Sequence, residues 1–213
     1  MIPRFIAIGI LFLSIVAGPR AAAQKIERTG TPGAVSDALQ QAVESKGYRV
    51  TLNDGWTAEF WFTKNLKTGK NDTPGALYPE LTNGELVGLV TFSQAMADYR
   101  GQNIPPGAYT LRYQTLPQDG NHMGVAPNPD FLLAIPAASD PAPDATYLYK
   151  KLIALSAKST GTNHPAVIAL DTAGEPSTIT KNERGDTVFF VAIPSPPGAA
   201  AKLGIVLKGS AAQ

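Results

Sequence analysis

Tyr48-Arg49-Val50-Thr51-Leu52-Asn53-Asp54-Gly55-Trp56-Thr57-Ala58-Glu59-Phe60-Trp61-Phe62-Thr63 is the stretch whose reading decides the fold. Tyr48, Val50 and Leu52 alternate with Arg49 and Thr51, the period-two pattern of a half-buried strand. Asn53-Asp54-Gly55 then predicts a hairpin turn, because Asp-Gly accepts the positive φ of a tight reversal. On the return strand Trp56, Ala58, Phe60 and Phe62 share one face, and Thr57, Glu59, Trp61 and Thr63 share the other. Trp61 therefore has two readings. It is either a stacking platform beside Glu59 or the second face of a buried strand.

The same grammar extends downstream. Residues 86–92 are apolar on both faces, as a central strand requires. Ile104-Pro105-Pro106-Gly107 reads as a turn, after which Tyr109, Leu111 and Tyr113 point to the core while Arg112 faces away and is cheap to remove. Further strands are expected at 131–135, 167–170, 177–180, 187–193 and 203–207, with Asn182-Glu183-Arg184-Gly185 as another turn. Upstream, Thr31-Pro32 looks like a helix start, with Val35, Leu39, Ala42 and Val43 at helical spacing and Gly47 as the stop, so 32–46 is expected to be a helix. Asp144 is expected to cap a second helix whose buried stripe is Leu148, Leu152 and Leu155, ending at Gly161. The polar residues 64–79 read as a mobile loop. About eight strands joined by short turns, against two accessory helices, predict an antiparallel β-sandwich or barrel, the sandwich being preferred. No strand–helix–strand rhythm is sustained, which argues against a parallel nucleotide-binding sheet.

The N-terminus points to export. Arg4 precedes an apolar run at 5–17, followed by Gly18-Pro19 and Ala21-Ala22-Ala23, the order of a secretory signal. The run is shorter than the ~20 apolar residues of a spanning helix. Residues 1–23 are therefore expected to be a signal peptide cut before Gln24, leaving 24–213 as one β-sandwich domain in the periplasm or outside the cell. The chain has no cysteine, so neither a lipid-anchored cysteine nor a disulfide framework is open to it. Its core must suffice, and a chain of about 190 residues can bury most of its surface. Loss of Arg4 and Arg20 takes the 18 basic residues to 16 against 17 acids, a net charge of −1. That charge and the lack of a basic stripe argue against a nucleic-acid partner, and no second apolar run is long enough to span a membrane.

Two segments stand out as site candidates. Asp119-Gly120-Asn121-His122-Met123-Gly124 lies between strands, and Thr160-Gly161-Thr162-Asn163-His164-Pro165 lies between the second helix and a strand. Asp119, Asn121, His122, His164 and Trp61 are the candidate ligand-binding residues. An imidazole beside a thioether suits a soft ion such as Cu(I), which makes His122, Met123 and His164 the candidate metal ligands, provided the two loops meet at one end of the sandwich. The alternative is that each histidine serves only its own loop. No Gly-x-Ser-x-Gly elbow and no Gly-rich phosphate loop occurs, and no pair of carboxylates is singled out by its spacing. No catalytic residue is assigned. Non-enzymatic binding or envelope support is the first expectation, copper handling the second and an extracellular hydrolase the third.

Gly107-Ala108-Tyr109-Thr110-Leu111-Arg112-Tyr113, with residues 119–127 and Asp130-Phe131, and Thr162-Asn163-His164-Pro165-Ala166-Val167 together resemble a group of secreted bacterial proteins usually termed hypothetical. The resemblance covers the chain from the first helix to the final strand. It implies secretion, and it brings no activity, ligand or catalytic residue with it.

Overall fold

The computed structural model describes residues 24–117, 125–196 and 198–209. Its strands are β1 (Lys25–Thr29), β2 (Gly47–Thr51), β3 (Thr57–Phe62), β4 (Leu86–Phe92), β5 (Met96–Ala97), β6 (Asn103–Ile104), β7 (Gly107–Thr115), β8 (Asp130–Pro136), β9 (Ala166–Asp171), β10 (Thr178–Lys181), β11 (Thr187–Ser195) and β12 (Ala199–Lys208). Two helices, α1 (Asp37–Ala42) and α2 (Tyr149–Thr160), and a 3-10 turn at Ala137–Ser139 complete the elements. Ten strands form one antiparallel sheet in the order β1-β2-β3-β4-β7-β8-β9-β12-β11-β10. The edge strands β1 and β10 approach one another, so the sheet is curled nearly into a barrel. Phe189 of β11 meets Tyr48, Phe60 and Phe62 across the interior, with ring centroids 5.5–6.3 Å apart. The barrel is thus flattened, as in a sandwich.

Period-two alternation builds this interior. Val50, Leu52, Trp56, Ala58, Phe60 and Phe62 point inward with Tyr109, Leu111, Tyr113, Leu132, Ile168, Val191, Leu203 and Ile205. A β-bulge between Leu86 and Gly88 shifts the phase of β4, so that Val87 and Val90 both reach the core. The Asn53-Asp54-Gly55 turn forms as expected, with Gly55 at φ +84° and its N–H donating to the Leu52 carbonyl at 2.9 Å.

The outer face is apolar too, and the helices cover it. Leu152 and Leu155 of α2 pack on Phe131, Leu133, Ile135 and Val167. Ser156 and Ser159 donate to the Ala134 carbonyl at 2.8 and 2.9 Å, satisfying backbone where the β8–β9 ladder ends. Leu39 and Val43 cover Trp61, Leu86 and Leu89. On the split side of the wall, β5 and its turn wedge between β9 and β12. Tyr99 N–H donates to the Val167 carbonyl at 3.3 Å, and the buried Asp98 accepts from Val167 N–H at 3.3 Å.

Several expectations need correction. Helix 32–46 shrinks to α1, because Ala34 sits at φ +55°, which no right-handed helix includes. Ser36, not Thr31, caps it, accepting from Leu39 N–H at 3.3 Å. Beyond Ala42 the backbone turns to β3, with Glu44 N–H donating to the Phe62 carbonyl at 2.9 Å. Asp144 does not cap α2; it pairs with Lys67 at 3.0 Å, and Leu148 is 85% exposed. Gly161 does end that helix, in the left-handed region at φ +66°. Residues 64–79 are no loose surface loop, since they send Leu66 and Tyr78 into the core, and Leu81 just beyond them joins the same cluster. Asp130 fixes that segment, accepting from Leu77 N–H, Tyr78 N–H and the Tyr113 hydroxyl at 3.1, 2.9 and 3.1 Å. Burial pushes both the Tyr78 and Tyr113 phenols well above the ordinary tyrosine range.

Arg112 departs most from expectation. It faces away from the interior, as alternation requires, yet it is 1% exposed. Residues 137–147 fold over it. Its guanidinium grips Asp140 bidentately at 2.6 and 2.8 Å. It also donates to the carbonyls of Gly84, Ala142 and Ala145 at 2.8, 2.9 and 3.2 Å. Thr110 and Tyr147 hydroxyls donate to the same carboxylate at 2.6 and 2.8 Å. Every polar group of this cluster has a partner, as a buried ion pair requires.

Candidate functional site

The strand directions define two ends of the barrel. At one end β1, β3, β7, β9 and β11 finish and β2, β4, β8, β10 and β12 begin. We call this end the mouth. The opposite end carries the Asn53-Asp54-Gly55 turn, the β5–β6 ribbon and the connection through α2.

His164 stands at that opposite end, in the turn between α2 and β9, and is exposed. Its backbone is tied into the turn, its N–H donating to Thr162 Oγ1 at 3.0 Å and its carbonyl accepting from Thr160 Oγ1 at 2.8 Å. Asp119, Asn121, His122 and Met123 lie outside the described residues. The described residues that flank them, Thr115 closing β7 and Asp130 opening β8, pair with each other at the mouth. Ala166, just after His164, pairs instead with Ala134, four residues further along β8, roughly 13 Å away at the ordinary strand rise. Among the described residues no group of three or more His, Cys, Asp or Glu side chains is placed to hold a metal ion.

Trp61 takes the buried reading. It is 2% exposed, packed among Leu39, Val43, Leu86 and Leu89, and its Nε1 donates to the Gly30 carbonyl at 2.6 Å. Gly47 makes room for that ring: a Cβ there would stand 2.7 Å from Trp61 Nε1. Glu59 on the same face pairs with Arg49 at 2.6 Å and accepts from Thr29 Oγ1 at 3.1 Å.

The mouth holds what the sequence did not single out. A cavity of about 540 Å³ opens there, lined by Arg28, Glu44, Lys46, Tyr48, Phe62 and Pro194, with Ser45 and Ala192. Its size falls within the range of small-molecule sites, which favour barrel mouths. The rings of Tyr48 and Phe62, 6.1 Å apart, form an aromatic wall continuous with the core. Above it the Arg28 guanidinium lies 4.1 Å from the Tyr48 ring centre, a cation–π contact. Arg28 pairs with Tyr48 across the β1–β2 ladder, and Lys46 lies two residues before Tyr48. Both cations line the same cavity. Among the described residues, Arg28, Lys46 and Glu44 have no ion-pair partner.

The rim is held by hydrogen bonds to backbone carbonyls. Leu66 N–H donates to the Pro194 carbonyl at 3.0 Å, Ser195 Oγ to the Leu66 carbonyl at 3.0 Å, and Lys64 N–H to the Ala42 carbonyl at 3.0 Å. The alternation of Tyr48 and Phe62 signalled an inward face. Arg28 went unseen because β1, Lys-Ile-Glu-Arg-Thr, holds a single apolar residue and joins the sheet through its backbone. Comparison with known proteins finds no matching family model, no similar curated protein and no similar solved structure.

Proposed function

We propose that this chain is an exported, non-enzymatic binding protein that takes a small amphipathic anion into the mouth of its barrel. The single observation that carries the reading is the cavity beside Tyr48 and Phe62, where Arg28 and Lys46 stand without carboxylate partners among the described residues. The rings would receive the apolar body of the ligand, and the two cations its acidic group. Glu44 on the same rim leaves an excess of one positive charge over the cavity, which favours anions over neutral or cationic ligands. Among the lining residues Glu44 is the sole carboxylate and no histidine is present. The lining therefore offers charge recognition rather than an acid–base pair. Export is supported by Arg4, the apolar run 5–17 and Ala21-Ala22-Ala23, and places the site in the periplasm or the medium.

Two dyes that share a ring system test this. 8-Anilinonaphthalene-1-sulfonate carries a sulfonate, and N-phenyl-1-naphthylamine is its uncharged counterpart. The sulfonate dye is expected to bind the folded protein more tightly, with an affinity that falls as salt rises. Arg28→Gln with Lys46→Gln should abolish that preference, and Ala192→Trp should exclude both dyes. Equal binding of the two dyes, or sulfonate binding unaltered in the folded variants, would refute the reading.

A further inference from the structure

Beyond the mouth, the first strand carries chemistry of its own. β1 starts at Lys25, one residue after the cut expected between Ala23 and Gln24. Gln24 N–H donates to Asn53 Oδ1 at 2.9 Å, in the turn that joins β2 and β3. Gln24 is half-buried and lines a groove of about 300 Å³ between β1 and β10, together with Lys25, Ile26 and residues 177–179. Its side-chain carboxamide makes no hydrogen bond to the described residues, so nothing there holds the carboxamide away from its own α-nitrogen.

From this placement we infer that the exported protein carries a pyroglutamate at position 24. The inference rests on the export reading, since it needs Gln24 as the first residue. The α-nitrogen lone pair attacks the Gln24 Cδ carbonyl carbon, the N–Cδ bond forms and the Cδ–Nε2 bond breaks. Ammonia leaves, taking up one proton from the α-amine, and a five-membered lactam remains. No oxidant or co-reactant is consumed. An α-amine has an ordinary pKa of about 8, so a useful fraction is unprotonated and nucleophilic near neutral pH.

The product keeps the contact that starts the strand. The Gln24 nitrogen meets Asn53 Oδ1 at an exposed position, and neighbouring Asp54 is already engaged by Lys208. The lactam brings one neutral N–H, the same donor that meets Asn53 in the intact chain. The modification also protects the mouth. β1 is five residues long, lies at the open seam and carries Arg28, so stepwise removal from a free N-terminus would strip one wall of the binding cavity.

Intact mass and N-terminal sequencing of protein exported by its own host test the inference, with Gln24→Ala as the variant that cannot cyclise. The expected mass is that of residues 24–213 less about 17 Da, the ammonia lost, with no reactive α-amine. Gln24→Ala should show the full mass, and aminopeptidase should then remove β1 residues from it while leaving the wild type intact. A free Gln24 amine would overturn the cyclisation while leaving the cut in place. A different first residue would overturn the cut itself, and the inference with it. Equal resistance of both proteins to aminopeptidase would overturn the protective role.

Discussion

Replacing Arg112 by alanine is the most informative single change to this fold. The guanidinium uses its donors on the Asp140 carboxylate and on the carbonyls of Gly84, Ala142 and Ala145. Removing one partner of a buried ion pair typically costs about 3–5 kcal/mol, because the other charge stays behind without compensation. Asp140 would keep the Thr110 and Tyr147 hydroxyls, which argues against a larger loss. The carbonyls at 142 and 145 lie in partly exposed chain and can turn to water, so their penalties do not add in full. The expectation for Arg112→Ala is therefore a loss of about 3–5 kcal/mol in urea denaturation, read as a shift in midpoint at constant slope. Arg49→Ala is the control. It breaks the Arg49–Glu59 pair, whose arginine side chain is 54% exposed, and should cost about 0–1 kcal/mol. The double variant Arg112→Met with Asp140→Leu carries no buried charge and should be more stable than Arg112→Ala. A cost for Arg112→Ala no greater than that of Arg49→Ala would refute the reasoning, since the arginine would then be acting as a surface charge.

Leu111, one residue away and on the interior face, is 1% exposed; Leu111→Ala should lower stability by about 2–5 kcal/mol in the same assay. Gly88 lies where a Cβ would meet the Trp61 carbonyl oxygen at 2.4 Å and Phe62 Cα at 3.0 Å, so Gly88→Ala should cost about 1–3 kcal/mol through backbone displacement in β4, and no measurable loss would show that the bulge relaxes freely. Burial raises the Glu85 pKa above its ordinary 4.5. The folded state then disfavours the ionised form, a penalty present in full above the folded pKa and relieved as pH falls to 4.5. Glu85→Gln should accordingly stabilise the protein at about pH 7, with the gain shrinking as pH falls. Urea midpoints of both proteins across that range check it, and a gain that grows on acidification would contradict the sign.

Local pattern was enough for much of the architecture. The alternation at 48–62 fixed the β2–β3 hairpin, its turn and the inward face of Trp56, Ala58, Phe60 and Phe62, because side chains on a strand have only two directions. The inward placement of Tyr109, Leu111 and Tyr113 followed from the same rule. What alternation specifies is a direction, and it leaves open what will lie on either side. Alternation points Arg112 outward, and only the folding of residues 137–147 over the sheet makes that outside an interior. The length of α1 was likewise settled by the positive φ of Ala34, on which helical spacing is silent. β1 joined the sheet through backbone hydrogen bonds, which any sequence can make, and so left little trace in residue type. The mouth cavity belongs to this second group. Arg28 and Phe62 are far apart in the chain, and they line one space because the sheet curls until its edges nearly meet. Sequence determines which face of each strand is apolar, because that is a property of neighbouring residues. Tertiary structure decides which faces become enclosed and which charges lose their solvent, because that depends on segments distant in the chain arriving at the same place.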